Sequence, residues 1–273
     1  MQRAFANLPG RQVHYRHGGA GQRVLLMLHA SPGSSRQLER LGDALAPQSL
    51  VIAPDRPGNG DSPALPIAIP EIADYARAEL EFLDALGVDE VDIYGSHTGA
   101  SVAVEMAILA PSRVRRIVLD GIALFSPEQV QDYLANYAPA KMPDLAGTHL
   151  TWAFQFCRDQ FLFFPWFASR TENARGMGLP TPAALQDLVL EVLKSLQTYH
   201  LGYNAAFRHP ARERLGLVEH KVLAIAFADD PLEKYLAEAL GLLPNAVTAK
   251  LGSMREPDAI GRLSGYIGAF LEG

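Results

Sequence analysis

The chain has 273 residues, 48% hydrophobic and 20% charged, with a formal net charge of −6. That composition supplies a sizeable core and excludes a disordered chain, a disulfide-stapled miniprotein and a basic nucleic-acid binder. The single cysteine, Cys157, has no internal partner and fits a reducing compartment. The first residues carry no long apolar run of signal-peptide type, and no segment reaches ~18 uninterrupted apolar residues. The expectation is a cytoplasmic globular protein, monomer or homodimer, with no membrane or nucleic-acid partner.

In chain order, short apolar runs alternate with helical patterns. Residues 23–30 (RVLLMLHA), 50–55 (LVIAPD), 91–94 (VDIY), 116–119 (RIVL) and 221–227 (KVLAIAF) read as strands buried on both faces of a parallel sheet. Between the first four lie helical patterns at 34–45, 69–86 and 99–109, the second stopping at Gly87 and the third at Pro111. This alternation predicts an α/β fold with right-handed crossovers. It breaks after residue 123. Residues 127–137, 148–162 and 182–207 are helical in pattern, and alternation resumes at 221 and ends in a helix at 256–271. The expected organisation is a core domain of residues 1–123 and 218–273, with a helical cap at 124–217.

The most informative motif is Gly95-Ser96-His97-Thr98-Gly99, placed between the strand VDIY and a helix. Glycines two positions to either side of a central residue make the frame of a nucleophile elbow. The central residue takes a strained backbone conformation, and larger side chains at the flanks would collide with the neighbouring turn. A glycine-rich strand-to-helix turn without chemistry is the plainer alternative.

On this motif and four other segments, the sequence resembles the α/β-hydrolase superfamily. LMLHASPGSS (26–35) is similar to the loop after the third strand, APDRPGNGDS (53–62) to the strand-four loop, KVLAIAFADDP (221–231) to the strand bearing the triad acid, and REPDAIGRL (255–263) to the start of the last helix. The resemblance implies an eight-stranded, mostly parallel sheet with the active site under the cap. It also implies an oxyanion hole from the backbone N–H groups of Ser31 and Thr98, with His29 supporting the loop. Two departures stand out. The elbow's centre is His97 rather than Ser, Asp or Cys. The last histidine, His220, precedes the acid strand, so nothing from 221 to 273 can be the closing histidine of the triad. Counting back from Pro257 lands on Lys250, or on Ala249 with a one-residue gap. The expected atypical triad is therefore His97, Asp230 and Lys250. Asp230 is favoured over Asp229, and its plainer role is a helix N-cap.

At a helix N-terminus His97 is expected to be a neutral imidazole, suited to general-base work, hydrogen bonding to a carbonyl, or nucleophilic attack. Lys250 facing Asp230 would be a fixed cation, or the pair a structural salt bridge. The aromatic-rich stretch 152–167 holds both tryptophans. It makes the cap's own core or, through Trp152, Phe156 or Trp166, an apolar roof for a substrate. His149 and His200 lie on cap helices and are further substrate-site candidates. No metal-ligand spacing and no phosphate loop occur, and no cofactor is expected. These features predict an enzyme acting on a small apolar or aromatic carbonyl compound, by ester, lactone or C–C hydrolysis or by lyase-type proton transfer. A non-catalytic ligand-binding pseudoenzyme of the same fold is the alternative.

Overall fold

The computed structural model describes residues 1–273. The N-terminal strands β1 (Gln2–Leu8) and β2 (Arg11–Gly18) form an antiparallel hairpin. There follow β3 (Val24–Leu28), helix α1 (Glu39–Leu45), β4 (Leu50–Pro54), α2 (Ile72–Ala85), β5 (Val91–Ser96), α3 (Thr98–Leu109) and β6 (Val114–Asp120). Five helices come next: α4 (Pro127–Asn136), α5 (Thr148–Leu162), α6 (Pro182–Lys194), α7 (Tyr199–Arg208) and α8 (Ala211–Leu215). The sheet then resumes with β7 (Lys221–Phe227), α9 (Leu236–Leu242), β8 (Ala246–Leu251) and α10 (Ala259–Glu272). The eight strands lie in the order β1-β2-β4-β3-β5-β6-β7-β8. Beyond the antiparallel β1–β2 and β2–β4 pairs, all pairings are parallel. The strand–helix alternation predicts the α/β arrangement, and the eight-stranded, mostly parallel sheet is the one that the resemblance implies.

Burial explains which strands the sequence announces. β3, β5, β6 and β7 are buried along almost their whole length and read as continuous apolar runs. β8 (AVTAKL) is an edge strand with mostly exposed side chains, so no such run marks it. Around Phe82 and Met106, α2 and α3 pack on one face of the sheet. Leu45 and Ile267, from α1 and α10, belong to the core on the other face. α2 starts in a capping box between Glu71 and Asp74, so it begins two residues later than the pattern's Pro70. The single helical pattern at 182–207 is two helices. Ser195 Oγ donates to the carbonyl of Glu191 at 3.1 Å at the end of α6, and the chain turns before α7.

The helices between β6 and β7 have an aromatic core of their own, with Phe156, Tyr199 and Tyr203 at its centre. They are tied to the sheet by polar contacts. Glu105 on α3 accepts from Arg214 and pairs with His209 at 2.8 Å, while Arg212 donates to the carbonyl of Leu124 at 2.7 Å. Burial opposes the charge on Glu105, but these hydrogen bonds outweigh it and bring its pKa down to about 2.

Because Phe156 is fully buried in this aromatic core, Phe156→Ala should cost ~3–5 kcal/mol. Phe154 on the same helix is 46% exposed, and Phe154→Ala should stay within ~0.5 kcal/mol of the parent. Urea unfolding of the two variants checks this; similar losses would place the core on the wrong face of α5.

Candidate active site

β5 delivers the chain to Ser96, and His97 then turns it into α3 with φ 50° and ψ −109°. His97 is the one non-glycine residue with positive φ, a strained conformation of the kind that clusters at functional sites. The flanking glycines are sterically required. A Cβ on Gly95 would collide with the Gly99 carbonyl, and one on Gly99 would collide with the carbonyl of Leu28 on β3. The elbow frame inferred from the sequence is thus physically closed around His97.

The imidazole points toward the end of β7. His97 Nε2 lies 2.6 Å from Asp230 Oδ2. The ring passes over Gly121, where a Cβ would stand 2.7 Å from His97 Cδ2, and Gly121 itself has φ +76°. Any side chain there would push the ring off its acid. The other oxygen of Asp230 accepts the N–H of Leu232 at 2.7 Å. Asp229 faces away and takes Ser253 Oγ at 2.5 Å and the N–H of Met254 at 3.1 Å. One aspartate therefore fixes the loop after β8 and the other holds the elbow histidine.

Electrostatics makes this a charge-assisted pair. Burial disfavours the charged imidazole, but the charge and hydrogen bond of Asp230 outweigh it and raise the His97 pKa above its ordinary value. Burial likewise opposes the Asp230 carboxylate, and His97 more than compensates, so its pKa falls. The expectation of a depressed His97 pKa at the helix N-terminus is corrected here, because a facing carboxylate outweighs the helix end. A second carboxyl lies close by. Asp120, at the end of β6, is buried and accepts Tyr94 OH at 2.6 Å. Burial raises its pKa to about 6, against the pull of the Tyr94 hydrogen bond and with the Asp230 charge adding to the rise.

The loop opposite is held by buried polar groups. Arg56 donates to the carbonyl of His29 at 3.1 Å and to Ser31 Oγ at 2.7 Å. The N–H of Arg56 donates to His29 Nε2 at 3.0 Å, so the ring proton sits on Nδ1 and goes to the carbonyl of Ala30 at 2.8 Å. Burial, with the Arg56 charge, pushes the His29 pKa down to about 3, in keeping with a neutral ring. The N–H groups of Ser31 and Thr98 have no acceptor within the protein, and both residues line the same cavity as His97. That cavity has a volume of about 360 Å³, and 18 of its 30 lining residues are hydrophobic. It lies between the sheet and the five-helix segment, with Phe161, Phe164 and Phe207 among its walls.

The alpha/beta hydrolase fold family matches this sequence over residues 23–235. The chain belongs to that family. A stretch of 125 residues is 35% identical to a 2-hydroxy-6-oxononadienedioate/2-hydroxy-6-oxononatrienedioate hydrolase of Dechloromonas aromatica, covering 43% of this chain and 42% of that protein. A stretch of 124 residues is 29% identical to the 2-hydroxy-6-oxo-6-phenylhexa-2,4-dienoate hydrolase of Burkholderia cepacia, covering 42% of this chain and 43% of that one. The matches thus span less than half the length of these relatives. Among solved structures, a hydrolase from Pseudomonas aeruginosa superposes with a TM-score of 0.75 at 22% identity, covering 100% of this chain and 99% of that one. An enol-lactonase from Burkholderia xenovorans gives 0.75 at 16%, covering 99% and 100%. At these identities the superpositions show the shared family fold.

Within this family frame, the structure brings together His97, Asp230, Ser31 and Thr98, with His29 hydrogen-bonded behind the Ser31 loop, and leaves Lys250, His149, Trp152 and His200 outside. Lys250 is exposed in edge strand β8 and makes no ion pair, so the expected Lys250–Asp230 contact is corrected. The counting rule failed because β8 runs on to Leu251; beyond it the cavity is lined by Met254, Ile260 and Leu263. His149 is engaged with Asp144 at its own helix N-terminus, and Trp152 stacks on Phe156. His200 packs beside Tyr199, and burial lowers its pKa. None of these three lines the cavity. Sequence reasoning missed Asp120, Tyr94 and Arg175, which do. Asp120 had a signal, a carboxyl ending a buried strand directly before a glycine; Arg175 had none.

With no serine at the elbow and no imidazole bonded to Ser96, the protein should not react with fluorophosphonate serine-hydrolase probes. Intact-mass spectrometry after prolonged exposure should show no adduct; stoichiometric labelling at Ser96 would contradict this geometry.

Proposed function

We propose that the chain is a hydrolase of a small apolar or aromatic carbonyl compound, in which His97, oriented by Asp230, is the acid–base residue. The observation that carries this reading is the 2.6 Å His97–Asp230 contact beside two free N–H donors in an apolar cavity. In the neutral ring, Nε2–H donates to Asp230 and Nδ1 keeps its lone pair. Nδ1 takes a proton from water as the hydroxide equivalent adds to the carbonyl carbon. The developing oxyanion accepts the N–H groups of Ser31 and Thr98. The imidazolium then returns the proton to the leaving group, which departs as the carbonyl re-forms. Asp230 stabilises the imidazolium between those steps. Esters, lactones and ketones cleaved at a C–C bond share this tetrahedral intermediate, in keeping with the oxo-dienoate hydrolases among the relatives. Proton abstraction without water addition would use the same base for lyase chemistry.

One observation favours a second reading, a binding protein without turnover. The 2.6 Å charge-assisted contact with Asp230 holds a ring proton toward the carboxylate, a geometry that suits a hydrogen-bond donor as well as a base.

A panel of aryl esters, enol lactones and 1,5-diketones separates the readings. His97→Ala should lower turnover of any substrate found by ~10²–10⁴-fold in a variant that still folds, with the thermal midpoint lowered because the Asp230 carboxylate loses its partner. Undiminished turnover in the folded variant would overturn the proposal. Ligand binding without turnover, weakened only several-fold by His97→Ala, would establish the second reading.

A further inference from the structure

The cavity holds a second acid–base group that the His97–Asp230 pair leaves unused. Asp120 ends β6 at the pairing level of Ser96, and its backbone carbonyl accepts the N–H of His97 at 2.8 Å. The residue is 4% exposed and lines the cavity. Its Oδ2 accepts Tyr94 OH at 2.6 Å, while Oδ1 has no partner within the protein. A neutral carboxyl fits this arrangement, with Oδ2 accepting from the tyrosine and a proton on Oδ1 free to be donated. Burial raises the Asp120 pKa to about 6; the Tyr94 hydrogen bond and the His97 charge pull against the rise, and the Asp230 charge adds to it. A carboxyl poised there can give up a proton near neutral pH. The remaining titratable groups that line the cavity are Arg175, whose charge acts on His97 and Asp230, and the phenols Tyr137 and Tyr203. The residues that α1 and α10 contribute, Leu41, Ile260 and Leu263, are apolar.

We propose that Asp120 is the general acid of the cavity, giving its Oδ1 proton to the leaving group while His97 takes a proton from the attacking water. This rests on the hydrolase reading, and it divides between two residues the proton work that His97 would otherwise do alone. His97 Nδ1 removes a proton as the water oxygen bonds to the carbonyl carbon. The bond to the leaving group then breaks, its electron pair goes to the departing atom, and that atom takes the Asp120 proton. An imidazolium and a carboxylate remain, and transfer of one proton from His97 to Asp120 through solvent restores the starting state. The working state therefore carries a single proton between the two groups, on Asp120. With both protonated there is no base, and with neither there is no acid. An apolar cavity favours this neutral pair over two separated charges. A plain structural hydrogen bond tying β5 to β6 would explain the Tyr94 contact, but it would give no dependence on the leaving group.

The test compares the full native chain with Asp120→Asn on two esters, p-nitrophenyl acetate, whose leaving group departs without a proton, and benzyl acetate, whose leaving group needs one. Asp120→Asn should lower kcat/KM for benzyl acetate by ~10²–10⁴-fold and that for p-nitrophenyl acetate far less. The native pH profile for benzyl acetate should be bell-shaped, its two limbs belonging to the coupled pair, and Asp120→Asn should keep only the rising limb. Tyr94→Phe removes a hydrogen bond that holds the Asp120 pKa down, so its alkaline limb should move to higher pH. If Asp120→Asn does not fold, that shift decides. Equal losses on the two esters, or a native profile with no alkaline limb, overturn the proposal. So does failure of the native chain to hydrolyse either ester. ¹³C NMR of aspartate-labelled protein gives a reading without turnover: Asp120 should titrate at about 6, and a value near the ordinary 3.8 overturns the proposal. Hydrolysis that depends on His97 and is indifferent to Asp120 would sink this inference alone and leave the hydrolase reading standing.

Discussion

The hydrogen bond between His97 Nε2 and Asp230 Oδ2 sets the terms for everything around it. An elbow serine is too short to reach an acid at the end of the next-but-one strand, and an intervening imidazole normally bridges the two. Here the elbow residue is itself an imidazole and covers that span alone. Each neighbour then has a defined task. Gly95 and Gly99 permit the tight turn, Gly121 leaves room for the ring, and Leu232 donates to the free oxygen of Asp230. The strain of a positive φ at His97 is held in place by close packing of β3, β5 and α3.

The opposite wall is built from buried polar groups that are largely satisfied by backbone. Arg56 bridges the loop through His29 and Ser31. Asp55 accepts the N–H groups of Ser35 at 2.8 Å and Asp61 at 2.9 Å and pairs with His14 at 2.8 Å. Burial opposes the charge on Asp55, but these bonds prevail and bring its pKa down to about 2. Such a network rigidifies the loop, because breaking any one member leaves a buried charge or dipole unpaired. The outcome is a pair of N–H donors, from Ser31 and Thr98, fixed before a ligand arrives.

Much of this was legible in the sequence because it follows from backbone geometry. Buried strands declare themselves as apolar runs, and the elbow declares itself through glycines whose missing side chains have a steric reason. Asp230 was legible because the chain from KVLAIAF to ADDP sets the end of β7. What failed depended on side-chain direction. Lys250 has the right count from Pro257 but sits in an exposed edge strand, where period-two alternation and the true strand end decide its orientation. His149 and Trp152 have suitable chemistry, yet helix phase turns one to Asp144 and the other to Phe156. Arg175 enters the cavity from an irregular segment, where no periodicity predicts direction.

¹⁵N NMR of histidine-labelled protein, following His97 across pH in the native chain and in Asp230→Asn, is the direct measure of the His97–Asp230 pair. A folded-state pKa raised above the ordinary 6.5 means that the pair's stabilisation is fully present below pH 6.5 and is lost as pH rises through the folded value. The native His97 should therefore titrate above 6.5 and, once neutral, keep its proton on Nε2. In Asp230→Asn the pKa should fall, and the pH-dependent part of the stability should shrink with it. A His97 that titrates at or below 6.5 in the native protein, and does not respond to Asp230→Asn, would contradict the claim that this imidazole and this carboxylate form the site's working pair.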